Sequence, residues 1–255
     1  ANFLLGHGNA FYARMADPTG PSQMTCWIVE GFADLYVETR NEDYLNAIRR
    51  IVKECMGQYY NAHSHGYLTT LRGILKAGIC AEDQELIDLV CARRQELLDN
   101  GCILPNGDIS ESFPHSRRNE GCSIADWIML NLIYAHHFDD ETAYAMAEHS
   151  LWNALFFNQF VTGGFGHRFF AKRGYRTYIE EAWWCCTQNA GTCMTEVARH
   201  IVTVRNGQIH LNFLIPGEFT VPGENGNITV QLERYGTVEF RVIGYYDKEE
   251  SAVFA

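Results

Sequence analysis

Apolar residues recur at helical spacing through the first 200 residues of the chain. This periodicity predicts a series of helices joined by short turns. Their approximate bounds are 22–38, 42–60, 67–77, 82–99, 121–137, 140–158 and 187–202. Residues 100–118, which contain the turn-forming LPNGD, and the glycine-rich residues 159–182 are predicted to be loops between helices.

Beyond residue 203 the pattern changes to short stretches rich in β-branched and aromatic residues, separated by Pro and Gly. These stretches are 208–215, 227–233 and 237–243, and they predict antiparallel strands. We therefore expect a helical domain at 1–203 and the start of a β-sandwich at 204–255. Three or four strands are few for a closed sandwich, so the β part is expected to be incomplete.

A weak internal repeat accompanies the helices. The same interval separates Trp27 from Tyr44 and Trp127 from Tyr144. Each pair spans a helix, a short polar turn and the start of a second helix. Repeated helix hairpins suggest a toroid or a solenoid of α-hairpins.

The composition narrows the classes of partner. The 255 residues include 20 Lys and Arg against 31 Asp and Glu, a formal charge of −11, which argues against nucleic acid or an anionic membrane surface. No apolar run approaches the roughly 18–20 residues of a transmembrane helix. A neutral or polar ligand fits better.

The nine cysteines are an odd number and are scattered along the chain. This usage indicates a reducing, cytoplasmic compartment in which most thiols are buried and free. The N-terminus has no signal-peptide pattern, and it begins with Ala1 instead of Met, so we expect the natural start to be missing.

The most unusual stretch is WWCC at 183–186, because adjacent cysteines are poorly placed to form a disulfide with each other. A second stretch, EGC at 120–122, opens the fifth predicted helix. Together they offer three thiolates and a carboxylate, a donor set that suits tetrahedral Zn²⁺. These candidate ligands are Glu120, Cys122, Cys185 and Cys186. On spacing alone, four unrelated buried residues are the alternative.

Glu111 is the candidate proton donor and acceptor. It precedes EGC in a loop that also contains Phe113 and Pro114. A carboxyl group beside apolar groups can have a raised pKa and act as a general acid. A solvated loop carboxylate is the alternative.

Two histidines and a tryptophan are candidates for contacts with a polyol. His65 lies in HSHG before the third helix, and His167 lies in GGFGHRFF. Trp184 can form the floor of a sugar site. Surface positions for the histidines and a core position for Trp184 are the alternatives.

The order of these motifs resembles glycoside hydrolase family 127, whose known members include bacterial β-L-arabinofuranosidases. EGC at the start of a helix is followed by SLWNALF, GGFGHRFF, WWCC and then IHLNFLIPGEF at the entry to a β region. The resemblance covers about residues 22–245. It implies a mainly α fold, an (α/α)6-toroid-like helical barrel that is incomplete here, followed by an antiparallel β-sandwich.

The resemblance also implies the chemistry. Zinc is held by the Glu-x-Cys and Cys-Cys motifs, and Cys185, the first cysteine of its pair, is the nucleophile. SESF matches the segment that carries the family's acid/base, which implies that role for Glu111. The implied activity is retaining hydrolysis of β-L-arabinofuranosides or a related sugar in a small carbohydrate or glycoconjugate. No nucleic-acid or membrane partner is expected, and a homodimer is left open.

The chain departs from the family in several places. It has CCTQN where the family usually has Cys-Cys-Pro-Pro-Asn, and His167 stands where a Tyr is expected. Two other functions therefore stay open. One is a sugar epimerase or isomerase that uses histidine pairs, and the other is a non-catalytic, zinc-stabilised sugar-binding protein.

Overall fold

The computed structural model describes residues 28–55, 62–171, 174–223, 226–235 and 239–246. These ranges contain seven helices of ten or more residues: α1 Ile28–Thr39, α2 Glu42–Cys55, α3 Ser64–Ala81, α4 Gln84–Asp99, α5 Gly121–Phe138, α6 Glu141–Ser150 and α7 Gln188–His200. They also contain the strands β1 Arg118–Glu120, β2 Gly166–Ala171, β3 Gly174–Glu181, β4 Val202–Arg205, β5 Gln208–Leu211, β6 Gly217–Gly223, β7 Gly226–Tyr235 and β8 Glu239–Tyr246. Residues 22–27, 56–60 and 237–238 of the predicted elements lie outside the described ranges.

Helix α3 is longer than its apolar pattern predicts. It begins at Ser64, where the ring of His63 caps the helix by accepting the N–H of Gly66 at 3.4 Å. Several of its buried residues are polar, which interrupts the apolar periodicity. These are Ser64, Thr69, Thr70 and Arg72.

The prediction of a loop over 159–182 is wrong for most of that stretch. β2 and β3 form an antiparallel hairpin there, and β1 pairs with β2 on its other side. Most of the glycines that suggested a loop lie before or at the start of β2. The sequence that follows them, RFFAKRGYRTYIEE, is rich in the aromatic residues that favour strands.

Four helices, α1, α3, α5 and α7, lie side by side and run in the same direction. On α3, Arg72 pairs with Glu30 of α1 and, one turn later, Lys76 pairs with Asp34. Helices α5 and α7 likewise meet near both their N-terminal and their C-terminal ends. Helices α2, α4 and α6 each form a hairpin with the helix that precedes them in the chain. Such hairpins are the units of a helical toroid, although the described residues form no closed barrel.

The β-strands beyond α7 form two small antiparallel sheets. β4 and β5 make a hairpin through Asn206-Gly207, both with positive φ (52° and 75°), as a type I′ turn requires. β6, β7 and β8 form a three-stranded sheet. β6 was not predicted, and its two terminal glycines and Pro222 explain why its pattern is weak. No helix within the described residues is long and apolar enough to cross a membrane.

The close packing of α1 on α3 depends on Gly73. A Cβ atom at this position would lie 2.7 Å from both the Cα and the N of Glu30. Since such distances are far below van der Waals contact, the two backbones can approach this closely only because residue 73 has no side chain. The approach also brings the neighbouring Arg72 onto the Glu30 carboxylate.

We expect Gly73→Ala to lower the free energy of unfolding by about 1–3 kcal/mol, because the added methyl group forces α1 away from α3. Gly31→Ala is the matched control, since a Cβ at Gly31 would meet no atom within 4 Å. That change is expected to be neutral or to stabilise the helix by up to about 1 kcal/mol. Urea unfolding measures both. Equal effects of the two substitutions would contradict this account of the interface.

Candidate functional site

Two of the candidate ligands, Glu120 and Cys122, flank the junction between β1 and α5. Glu120 ends the strand and is the N-cap of the helix, with an extended backbone (φ −143°, ψ 129°). Cys122 lies in the first helical turn and is fully buried. Residues two apart point in divergent directions on a regular helix, so the change from strand to helix is what lets both side chains face one point.

The other two candidate ligands lie in a π-helical turn, Trp183–Thr187, that precedes α7. The N–H of Thr187 donates to the carbonyl of Ala182, five residues back, at 3.0 Å and closes this wide turn. A proline at position 187, as in the family motif, has no N–H to donate. The turn supplies the backbone irregularity that Cys185 and Cys186 need in order to face the same point.

The three sulfur atoms form a compact cluster with the Glu120 carboxylate. Sγ of Cys186 lies 3.4 Å from Sγ of Cys122 and 3.7 Å from Sγ of Cys185. One oxygen of Glu120 and the three sulfurs all lie within 4.8 Å of one another. The S···S distances far exceed the ~2.05 Å of a disulfide. They are close to the about 3.8 Å between two sulfurs bound tetrahedrally at ~2.3 Å to zinc. The donor types and their spacing therefore fit a tetrahedral metal ion.

The thiols of this cluster are unequal in charge and in exposure. Hydrogen bonds from Cys122 and then from Cys186 lower the pKa of Cys185 to about 6. The same bond raises the pKa of Cys122, which keeps its proton. Cys185 is half-buried, whereas Cys122 and Cys186 are fully buried. Cys185 is therefore the sulfur with the lowered pKa and also the one that a bound molecule can reach.

His63 supports the Glu120 carboxylate. Because its Nδ1 accepts the N–H of Gly66 at the start of α3, the proton of a neutral His63 ring sits on Nε2. Nε2 lies 3.2 Å from Oε2 of Glu120. Burial opposes the negative charge of Glu120, but the hydrogen bond from His63 holds the pKa of this carboxyl below its usual value.

Several polar groups of the site lie on one face of the sheet formed by β1, β2 and β3. Glu120 and His167 are directly opposite each other on β1 and β2. On the other side of β1, Ser110 pairs with Asn119, which places Glu111 beside Arg118. Side chains two apart on a strand share a face, so Glu111, Glu120 and His167 all lie on it.

The neighbours of Glu111 are a guanidinium and an imidazole, contrary to the apolar surroundings expected from its loop. The guanidinium of Arg118 binds both carboxylate oxygens, and Nδ1 of His167 lies 3.9 Å from Oε1. Phe113 points instead into the core, where its ring contacts Tyr67. The carboxylate is half-buried and lies within 4.8 Å of ligand atoms of His63 and Glu120.

The three residues predicted to contact a sugar differ in their burial and in their hydrogen-bond partners. His167 is buried, and its Nδ1 has no hydrogen-bond partner among the described residues. Trp184 is 53% exposed and meets Trp183 edge to face, so it is not a core residue. His65 is mostly buried and binds Asp126 through Nδ1.

Asp126 is the main residue that the sequence did not single out. It follows Cys122 by one helical turn on α5 and is fully buried. Four donors surround its carboxylate, from His65 and Thr69 on one oxygen and from Arg72 and Asn189 on the other. Although burial opposes its charge, His65 and Arg72 hold the pKa of Asp126 below its usual value. One charged residue in the apolar stretch SIADWIML was the available signal.

Gly121, between the two ligands of EGC, leaves no room for a side chain. A Cβ atom there would lie 3.0 Å from Oδ1 of Asn158 and 3.2 Å from the Cβ atoms of Cys186 and Phe165. We expect Gly121→Ala to displace the Cys186 turn and to weaken Zn²⁺ binding by about 10–100-fold. Competition with a chromophoric chelator measures the affinity.

Gly191→Ala on α7 is the control for this change, because a Cβ there would meet no atom within 4 Å. It is expected to leave the affinity for Zn²⁺ unchanged. Wild-type affinity in Gly121→Ala would show that the cluster does not depend on this contact.

No protein-family model and no curated protein matches the chain. Solved structures do match it. A GH127 β-arabinofuranosidase superimposes with a TM-score of 0.66 at 16% identity, over 89% of this chain and 42% of that one. A GH127 β-L-arabinofuranosidase from Geobacillus stearothermophilus T6 superimposes with a TM-score of 0.62 at 12% identity, over 85% of this chain and 44% of that one.

A more distant match is the GH76A α-1,6-mannanase of Salegentibacter sp. HEL1_6, with a TM-score of 0.55 at 15% identity, over 68% of this chain and 52% of that one. The chain spans less than half the length of the two GH127 enzymes. At these identities the likeness concerns the fold. The chain has the GH127-like fold, with the helical hairpins that this family shares with GH76 enzymes.

Proposed function

We propose that the chain is a retaining glycoside hydrolase that uses Cys185 as a zinc-held thiolate nucleophile and Glu111 as the acid/base. The substrate class is β-L-arabinofuranosides or a related sugar in a small carbohydrate or glycoconjugate. One observation carries the proposal: a reachable, low-pKa sulfur lies in a Glu120–Cys122–Cys186 cluster beside the Glu111 carboxylate. The fold shared with glycoside hydrolases supports it but does not by itself establish activity.

Glu120, Cys122, Cys185 and Cys186 would hold the zinc ion. When bound, the ion keeps the coordinated thiols deprotonated at neutral pH. Their packing supports this arrangement, since the sulfurs lie close enough to one another to bind a single ion. His63 orients the Glu120 carboxylate from behind.

In the first half of the reaction, the Cys185 thiolate attacks the anomeric carbon of the sugar. As the C–S bond forms, the bond from that carbon to the leaving oxygen breaks, and Glu111 gives its proton to that oxygen. The sugar is then a thioglycoside on Cys185. Arg118 holds the Glu111 side chain in place through both carboxylate oxygens.

In the second half, Glu111 is a carboxylate and takes a proton from water. The water oxygen adds to the anomeric carbon, the C–S bond breaks, and the electron pair returns to the Cys185 sulfur. Glu111 is protonated again and ready for the next turnover. Two displacements at one carbon give overall retention of configuration.

The substrate contacts are proposed from the groups that border the cluster. His65 and His167 would hydrogen-bond the sugar hydroxyls, and the exposed face of Trp184 would stack on the ring. We propose residues 1–203 as the catalytic domain and 204–255 as a β-sandwich segment. A reducing, cytoplasmic location is proposed because the cluster needs its thiols free.

The two other functions are less well supported by the same residues. A non-catalytic sugar-binding protein predicts that Glu111 points to solvent, whereas this carboxylate is half-buried against Arg118. An epimerase that uses a histidine pair would leave the grouping of three cysteines with Glu120 without a role.

Cys122→Ser is expected to remove bound zinc and to lower the melting temperature, since metal binding in such sites is coupled to folding. Elemental analysis of the purified protein and thermal unfolding measure the two effects. Cys102→Ser is the control, because Cys102 is equally buried but lies outside the cluster. Full zinc occupancy in Cys122→Ser would exclude Cys122 as a ligand.

Cys185→Ser is expected to lower the hydrolysis of 4-nitrophenyl β-L-arabinofuranoside by more than about 10³-fold, because the nucleophile is lost. Release of nitrophenol measures the rate, and NMR of the first-formed sugar anomer measures retention. Cys80→Ser, a half-buried cysteine outside the cluster, is the control. Near-normal activity of Cys185→Ser would refute the assigned nucleophile.

A further inference from the structure

The buried carboxylate of Asp126 lies directly behind the candidate site. Its Oδ2 atom binds Nδ1 of His65 and accepts the hydroxyl of Thr69 at 3.0 Å. Its Oδ1 atom accepts an N–H of Arg72 and the amide of Asn189, each at 2.9 Å. Among the described residues, Asp126 therefore forms hydrogen bonds with no candidate ligand side chain, but it binds one residue that borders the site.

We propose that Asp126 is a positioning residue for the reaction: it binds Nδ1 of His65 and so fixes the ring with Nε2 toward the site. This inference rests on the proposed function for its effect on turnover, but the position of the proton on the ring is independent of that function. A carboxylate behind a histidine sets the tautomer as well as the orientation of the ring.

The groups around Asp126 determine which residue supplies the hydrogen in the bond between Asp126 and His65. The Thr69 hydroxyl lies between the two groups, 3.0 Å from Oδ2 of Asp126 and 3.2 Å from Nδ1 of His65. Arg72 and Asn189 donate to Oδ1, and the charge of Arg72 keeps the carboxylate ionised, so Asp126 has no hydrogen to give to His65. Nδ1 of His65 must therefore carry the hydrogen that it shares with Oδ2. Any contact between His65 and a molecule in the site then goes through Nε2, on the far side of the ring.

His65 lies close enough to the cluster for this orientation to matter. Its ring is 6.1 Å from that of His63, which binds Glu120. Although burial opposes a charge on His65, the Asp126 carboxylate raises the pKa of the ring, with smaller contributions from Glu120 and Cys185. The ring is thus within electrostatic range of both the ligand set and the reactive sulfur.

Asp126→Asn tests the proposal because asparagine has nearly the same shape as aspartate, while one hydrogen-bond-accepting oxygen is replaced by a donating NH₂ group. Arg72 and Asn189 both donate to Oδ1, so the amide oxygen stays with them and the new NH₂ group faces His65. This change is expected to move the ring proton of neutral His65 from Nδ1 to Nε2. Two-dimensional ¹H–¹⁵N NMR of the zinc-loaded protein, at a pH where His65 is neutral, reports which nitrogen carries the proton.

Activity on the same nitrophenyl arabinofuranoside is the second measurement. We expect kcat to fall by about 10²-fold or more with zinc content unchanged. Asp126→Asn should cause little further loss in a His65→Ala background. Asp108→Asn is the matched control, since Asp108 is also a fully buried carboxylate but binds Asn119. Asp108→Asn should leave the NMR signals of the His65 ring unchanged.

The outcomes separate the two proposals. A wild-type His65 with its proton on Nε2 overturns the positioning role, even if Asp126→Asn does not fold. An unchanged tautomer in folded Asp126→Asn also overturns it. So does a fall in kcat on adding Asp126→Asn to His65→Ala that is as large as the fall in the wild-type background. If wild-type protein shows the Nδ1 proton and the expected switch but hydrolyses no arabinofuranoside, the proposed function fails and the His65 geometry stands.

Discussion

The arrangement of the four parallel helices depends on one buried negative charge. Asp126 on α5 is fully buried, and a carboxylate in such a place is tolerated only when several donors surround it. Those donors come from α3 and α7, and Arg72 extends the contact to Glu30 on α1. Removing one partner from a buried charge typically costs about 3–5 kcal/mol. The charge therefore fixes the relative positions of all four helices, and it does so one turn below the cysteine cluster.

The cluster itself is built at two irregular places in the backbone. Glu120 and Cys122 are brought together by the end of β1 and the start of α5, and Cys185 and Cys186 by a π-helical turn. Asn189 joins the two places, because its amide donates both to the Cys122 carbonyl at 3.0 Å and to Asp126. The ligand segments and the helix layer are thus parts of one hydrogen-bonded unit.

Much of this could be predicted from the sequence, and the rest could not for physical reasons. The apolar periodicity gave the helices to within a few residues, and EGC and WWCC identified side chains that the fold does bring together. The hairpin β2–β3 was missed because the glycines before it suggested a loop. The local sequence also does not show which strands pair with each other. Arg118 and Asp126 were missed because their importance lies in contacts with residues distant in sequence, and a charge in isolation predicts only a solvated position. The environment of Glu111 was misjudged for the same reason, since Phe113 turns away from it.

The pairing of Glu120 with His167 has a consequence for the sizes of molecule that the site can hold. These residues stand on adjacent strands, so the distance between their Cα atoms is set by a β-ladder at about 4.5–5.5 Å. A ladder cannot widen gradually, because a shift of register by one residue turns the side chains to the opposite face. The spacing of these two residues is therefore fixed by the sheet. Under the proposed function, differences in ring size between sugars would be accommodated at Trp183 and Trp184, which are exposed and belong to no β-ladder.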